Sequence, residues 1–190
     1  MTSLALVLST GDLPLAELHA ALLDGELYAV DECFSPVDTP LTRESRARAL
    51  AIGLGRYRGY ATRLVAEQHT AAWVWGATSA PPYPHQYCTS GSTHQRANSR
   101  RLGRVREVEL TPHDVVMIAG LRLTSPLRTI LDLARFTSRF GSQESATIRR
   151  LLDATGLTVS ACVDDLRARH KVPLKRQGLE RLSRLTESLF

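Results

Sequence analysis

Cysteine is scarce: Cys33, Cys88 and Cys162 are far apart and odd in number. They define neither a disulfide framework nor a paired zinc-ligand spacing, so a reduced, cytoplasmic setting is expected. No apolar run approaches the roughly 20 residues that span a bilayer. No Lys or Arg precedes the apolar stretch from Leu4 to Leu8, as a secretory signal would require. The six histidines (His19, His69, His85, His94, His113, His170) are isolated from one another and from cysteine, so no metal-ligand spacing arises. Gly53, Gly55 and Gly59 follow a helix instead of opening one, which excludes a phosphate-cradling loop. No nucleophile elbow is present. Asp164 and Asp165, adjacent on a helix, point apart. Neither an enzyme nor a cofactor or metal is expected.

Positive charge is missing from the first forty residues. They hold Asp12, Glu17, Asp24, Glu26, Asp31, Glu32 and Asp38 with no Lys or Arg, a charge of −7 within a chain of +5. The remainder, with 24 basic and 12 acidic residues, stands at +12. That division suggests a polyanion partner for the basic part. Lysine is almost absent too: Lys171 and Lys175 leave 22 arginines among 24 basic residues. Arginine suits bidentate phosphate recognition, but a GC-rich genome would produce the same bias, and composition does not choose between the two.

What is present reads in chain order as helices and short strands. Residues 3–9 suggest a short apolar helix. Pro14 opens a second, with Leu15, Leu18 and Leu22 on one face and Gly25 as its stop. Residues 27–30 and 33–37 form a hairpin about Asp31 and Glu32. Helix, helix and hairpin outline a small winged-helix-like module over 1–40. A central mixed α/β domain with short antiparallel strands follows over 41–137, and a helical region over 138–190. The expected class is α+β. Within the centre, 41–54 and 62–74 read as helices, 87–89 and the alternating 105–110 as strands, and 115–118 with 121–123 as a second hairpin.

The segment 94–106 carries His94, Arg96, Arg100, Arg101, Arg104 and Arg106 with no acid. It is the candidate for nucleic-acid binding, since such arginines supply phosphate affinity and salt dependence; a solvated arginine loop is the competing interpretation. His69 to Gly76, with Ala71, Ala72, Trp73 and Trp75, reads as core packing, with one indole available for a partner. From Leu121 to Arg135 a strand runs straight into a helix. Thr124 or Ser125 caps it, Pro126 suits the first helical position, and Leu127, Ile130, Leu131 and Ala134 share a face. Arg128 with Asp132, and Asp132 with Arg135, can pair along it.

Two of these strings carry a resemblance. Thr124-Ser-Pro-Leu-Arg-Thr129 followed by Asp132-Leu-Ala-Arg135 resembles the T-S-P-x-R-T…D-L-A-R string of the AbiEi-like antitoxins of actinobacteria. His69-Thr-Ala-Ala-Trp-Val-Trp-Gly76 is similar to that family's S-A-A-W-L-H-G helix end. Residues 143–187 look like its trailing helices, and the whole resembles the stand-alone form without an endonuclease-like C-terminal domain. The resemblance implies an antitoxin and transcriptional autoregulator. Its partners would be its own promoter DNA and a toxin of nucleotidyltransferase-like fold. One departure stands out: where the family's winged helix is basic after the glycine matching Gly25, this chain has Glu26-Leu-Tyr-Ala-Val-Asp-Glu. Acids there would repel phosphate. DNA contact is therefore expected at Arg96, Arg100, Arg101, Arg104 and Arg106, and Asp31 and Glu32 are expected to face a basic protein. The alternative is a protein-interaction module, antitoxin or adaptor, that does not bind DNA.

Overall fold

The computed structural model describes residues 7–56, 62–90 and 105–187. The described residues form an α+β structure. Helix α1 (Leu15–Leu23) is followed by hairpin β1 (Leu27–Val30) and β2 (Cys33–Pro36). Helix then hairpin is consistent with a winged-helix-like unit. Asp31 makes the hairpin turn at φ 55°, a left-handed conformation that Asp tolerates better than most residues. The helix expected over 3–9 gives way to extended chain where it is described. Leu8 exchanges both backbone hydrogen bonds with Phe34, at 2.8 and 2.9 Å, so it lies against the hairpin edge; residues 3–6 fall outside the described residues.

Helix α2 (Arg43–Gly55) has a reciprocal cap: Thr42 Oγ1 accepts from the Ser45 amide at 3.2 Å, and Ser45 Oγ from the Thr42 amide at 2.9 Å. Such a cap satisfies two orphan donors at once. The helix expected over 62–74 is two elements, strand β3 (Val65–Ala66) and helix α3 (Gln68–Val74). Leu64, Val65 and Ala66 are a short apolar run that periodicity alone cannot assign. Burial between two neighbouring strands makes it a strand, and Gln68 at φ 48° turns the chain into α3.

Strands β4 (Tyr87–Thr89), β5 (Val105–Glu107), β6 (Val115–Ile118) and β7 (Leu121–Thr124) complete a five-stranded sheet in the order β5-β4-β3-β7-β6. It is mixed: β3–β4 and β6–β7 pair antiparallel, while β3–β7 and β4–β5 pair parallel. The strand expected over 105–110 pairs only to Glu107. Four helices follow: α4 (Pro126–Phe136), α5 (Ser142–Thr155), α6 (Val159–Ala168) and α7 (Lys175–Glu187). Ser125 Oγ caps α4 by accepting from the Arg128 amide at 3.4 Å, and Thr158 Oγ1 caps α6 through the Ala161 amide at 3.1 Å. Gly156, at φ +67°, ends α5 in the left-handed conformation that a side chain would strain.

Two apolar clusters flank the sheet. One joins Val30 and Cys33 of the hairpin to α2, Trp73 and the strands. The other gathers Ala72 of α3 with α4, α5, α6 and α7. The two tryptophans are both packed: Trp73 is buried, while Trp75 is half-buried between the two clusters and donates Nε1–H to the Thr124 carbonyl at 3.1 Å. All three cysteines are free and buried. Burial pushes the Cys33 and Cys162 thiols up to about 11, which leaves them unreactive.

Helix α7 closes the second cluster against the end of α4. Gln177 Nε2 donates to the Arg135 carbonyl at 2.8 Å, and Arg181 Nη1 donates to the carbonyls of Ala134 and Thr137 at 3.0 and 2.9 Å. These are the carbonyls a helix end leaves open, and a cation there complements the dipole. The approach is close because residue 178 is glycine. A Cβ there would stand 2.7 Å from Arg135 Cγ and 3.0 Å from Leu166 Cδ2. Alanine would gain about 1 kcal/mol in helix propensity, but overpacking costs about 1–3 kcal/mol. Gly178→Ala is therefore expected to lower the thermal midpoint by a few degrees; an unchanged or raised midpoint would show that α7 can shift without loss.

Candidate functional site

The strand end of β3, the start of α3, strand β5 and helix α4 converge on a line of buried charge. Glu67 closes β3 and is buried; Arg106 on β5 meets it with both arms, Nε to Oε1 at 2.7 Å and Nη2 to Oε2 at 2.5 Å. The guanidinium lies over the Phe136 ring at 4.1 Å and reaches Asp132 at 3.8 Å. Asp132, with no solvent exposure, accepts from Arg128 Nε at 3.0 Å and Arg135 Nη2 at 2.6 Å. Arg128 passes the chain on to Asp114 through Nη1 at 3.0 Å, and Arg169, which caps the end of α6, completes it, with Nη2 on Asp114 at 2.8 Å and Nε on Asp165 at 2.6 Å. Four arginines and four carboxylates thus alternate from the sheet edge to the C-terminal helices, and their formal charges cancel.

The pairing of Arg128 and Arg135 with Asp132 along α4 is as the sequence spacing implied. Its burial, and its extension to Glu67, Asp114 and Arg169, are not visible in spacing, because these partners come from other elements. Asp114 shows how strongly the seam is coupled. Burial alone would raise its pKa, but hydrogen bonds from Arg169 and the Thr111 amide and the charge of Arg128 outweigh that and hold the carboxyl at about 2. A depressed folded pKa stabilises above the unfolded value near 3.8 and is lost as pH falls through the folded value. About 2 kcal/mol of stability should therefore disappear between roughly pH 4 and pH 2. Asp114→Asn is expected to flatten that limb of the stability–pH curve; an acid limb identical to wild type would remove Asp114 as its source.

At the sheet end of the seam opens a cleft of about 290 Å³ whose walls include Glu67, Gln68, His69, Gln86, Arg106 and Phe136. Gln86 is held by two bonds: its Oε1 accepts from the His69 backbone amide at 2.8 Å, and its backbone N–H donates to Thr70 Oγ1 at 2.8 Å. With its amide oxygen turned toward Arg106, Gln68 accepts from Nε and Nη2 at 3.2 and 3.1 Å. Burial lowers the His69 imidazole below its usual value, against a smaller upward influence from Glu144. The adjacent Cys88 thiol is pushed up by burial and then by Glu67. Glu67 is engaged by Arg106, and the thiol is held protonated. The cleft therefore offers fixed hydrogen-bonding groups, not an activated acid or nucleophile. Among the described residues, no group of three or more His, Cys, Asp or Glu is placed to hold a metal, and no helix is long and apolar enough to cross a membrane.

The family model of the AbiEi antitoxin C-terminal domain matches residues 61–184, from β3 into α7, and so takes in the whole seam and the cleft. The chain belongs to the AbiEi antitoxin family. No curated protein matches. Among solved structures, the RV2827C protein from Mycobacterium tuberculosis aligns over 96% of this chain and 76% of its own, at 15% identity and a TM-score of 0.39.

Within this AbiEi antitoxin, the residues singled out from sequence fall in three places. Arg96, Arg100, Arg101 and Arg104 lie outside the described residues. Arg106, from the same segment, is turned inward to Glu67, and its side chain is 15% exposed. Asp31 pairs with His85 Nε2 at 3.1 Å, tying the hairpin turn to the loop before β4, and Glu32 pairs with Arg56 at 2.8 Å. Of these two acids Glu32 remains open to solvent, and Asp31 is largely covered.

Proposed function

We propose that this antitoxin opposes a toxin of nucleotidyltransferase-like fold, acts in the cytoplasm and represses its own promoter. It would touch DNA through Arg96, Arg100, Arg101 and Arg104. The observation that carries the DNA part is the separation of charge: −7 over the first forty residues against +12 over the rest. The arginine segment enters β5 at Arg106, whose guanidinium is locked by Glu67. In this reading Arg106 anchors the segment while the residues before it meet phosphate. Glu32, with Asp31 beside it in the turn, would serve the protein partner.

Promoter mobility shifts across a salt series test it. Each lost phosphate contact lowers the magnitude of the slope of log K against log salt by about 0.9. Replacing Arg100, Arg101 and Arg104 together by alanine should flatten it by roughly 2.7 and weaken binding on every sequence alike. Unchanged affinity and slope would overturn the assignment. Arg106→Ala should instead lower stability, because it leaves buried Glu67 without its partner.

One observation favours the second reading, an antitoxin or adaptor that works by protein contact alone. Helix α1, which directly precedes the hairpin, carries no Lys or Arg. A chain that binds the toxin but does not shift its promoter at low salt would establish that reading.

A further inference from the structure

The cleft beside Arg106 holds hydrogen-bond donors that the fold leaves unspent. Arg106 turns Nε and Nη2 to Glu67. Its third nitrogen, Nη1, has no hydrogen-bond partner among the described residues and is not buried. The Gln86 side chain uses only its Oε1, on the His69 backbone amide, so its Nε2 is unspent as well. The His69 imidazole and the Ser138 hydroxyl likewise make no hydrogen bond among the described residues. Strand β5, helix α3, the residue before β4 and the chain after α4 thus each bring one such group to a single cavity of about 290 Å³. That volume stands at the lower end of small-ligand pockets, roughly 300–1,000 Å³. The carbonyls at the end of α4, which would repel an anion, are already taken up by Gln177 and Arg181.

We infer that this cleft binds a small organic monocarboxylate, with the carboxylate on Arg106 Nη1 and Gln86 Nε2 and the apolar body against Phe136. Donors outnumber acceptors in the walls, so the ligand must bring oxygens that accept. Among the described residues that line the cleft, Arg106 is the one cation. Burial keeps the His69 imidazole uncharged near neutrality, so it adds a hydrogen bond and not a second positive charge. Glu67 and Asp132 already answer part of the Arg106 charge. A dianion such as a phosphate would therefore carry a charge with no counterpart, which a site this enclosed disfavours. A single carboxylate makes charge-assisted hydrogen bonds to the guanidinium and leaves nothing unpaired. Glu67 lies in the wall, but both its oxygens are engaged by Arg106, which limits its repulsion. This site is independent of the toxin and of the promoter.

The test titrates benzoate into the full chain and follows the backbone amide signals by NMR. Benzoate should shift the signals of His69, Gln86 and Arg106 and bind with a dissociation constant of about 1 mM or tighter. Benzamide, of the same shape without the charge, and phenyl phosphate, largely a dianion at neutral pH, should each bind at least about tenfold more weakly. Gln86→Glu keeps an acceptor for the His69 amide and sets a carboxylate of the protein's own beside Arg106. Its thermal midpoint should hold, and benzoate binding should fall at least about tenfold. If that variant unfolds, the three probes on the wild-type chain still decide the ligand class. The proposal is overturned if benzoate leaves these signals unmoved, if benzamide or phenyl phosphate binds as well as benzoate, or if the folded Gln86→Glu chain binds benzoate as wild type does.

Discussion

Replacing Asp132 by alanine is expected to remove about 3–5 kcal/mol of stability, enough to unfold a marginal domain. The carboxylate has no exposure and holds three guanidinium groups, those of Arg128, Arg135 and Arg106. Alanine would leave these cations in a site closed to water, and an unpaired buried charge is far more unfavourable than a missing surface pair. Arg128 would keep Asp114 and the Glu109 carbonyl, at 3.0 Å each, and Arg106 would keep Glu67. Arg135 would retain only long contacts of 3.4 Å to the carbonyls of Leu131 and Pro173 and its stacking on Phe136. Most of the loss should therefore be traced to Arg135. Urea denaturation followed by tryptophan fluorescence checks this: a double-mutant cycle of Asp132 with Arg135 should show a larger coupling energy than one of Asp132 with Arg128. A loss under about 1 kcal/mol would mean that water enters the seam and that the network contributes little.

Trp73→Ala is expected to cost about 3–5 kcal/mol, by a different mechanism. The indole is 2% exposed and packs among Val30, Leu50, Leu64 and Leu123, so its removal opens a cavity between the hairpin, α2 and the sheet. Arg46 stacks over the ring at 5.7 Å and donates to the Trp73 carbonyl at 2.8 Å, and would lose its platform but not its hydrogen bond. Trp73→Phe separates volume from polarity. The Trp73 Nε1–H is buried with no acceptor, and such a donor costs about 1–3 kcal/mol. Phenylalanine removes the orphan while leaving a smaller void, so the exchange should stay within about 1.5 kcal/mol of wild type. If phenylalanine is as damaging as alanine, shape and not polarity governs this site.

The contrast between these two residues shows what was legible in the sequence. The helix from Pro126, its serine cap and its charge pairs at i, i+3 and i+4 are local, and local rules placed them. The hairpin at Asp31 and the strands of β6 and β7 were legible for the same reason. Strand β3 was not, because two residues held between partners distant in sequence have no period to read. The candidate site escaped for a related reason. Glu67 and Arg106 are 39 positions apart, and an arginine bound for a buried carboxylate looks in sequence like its neighbours in a basic segment. The signal that could have separated them is the alternation of Val105, Arg106 and Glu107, which places Arg106 opposite its neighbours on a strand. Likewise Asp31 is charged in composition but joined to His85 in space.

The closing of α4 by α7 bears on how the protein is made. The last carbonyls of α4 are capped by Gln177 and Arg181, 42 to 47 positions downstream. A growing chain therefore carries its sheet and its charged seam before it can finish the helix that holds them. Synthesis proceeds from the N-terminus, and a unit folds when its contacts have been made. Helix α1 and the hairpin are translated long before the elements they pack on, and the domain matched by the family is sealed only once α7 has been translated. A chain assembled in this order is expected to become resistant to proteolysis only near the end of its synthesis.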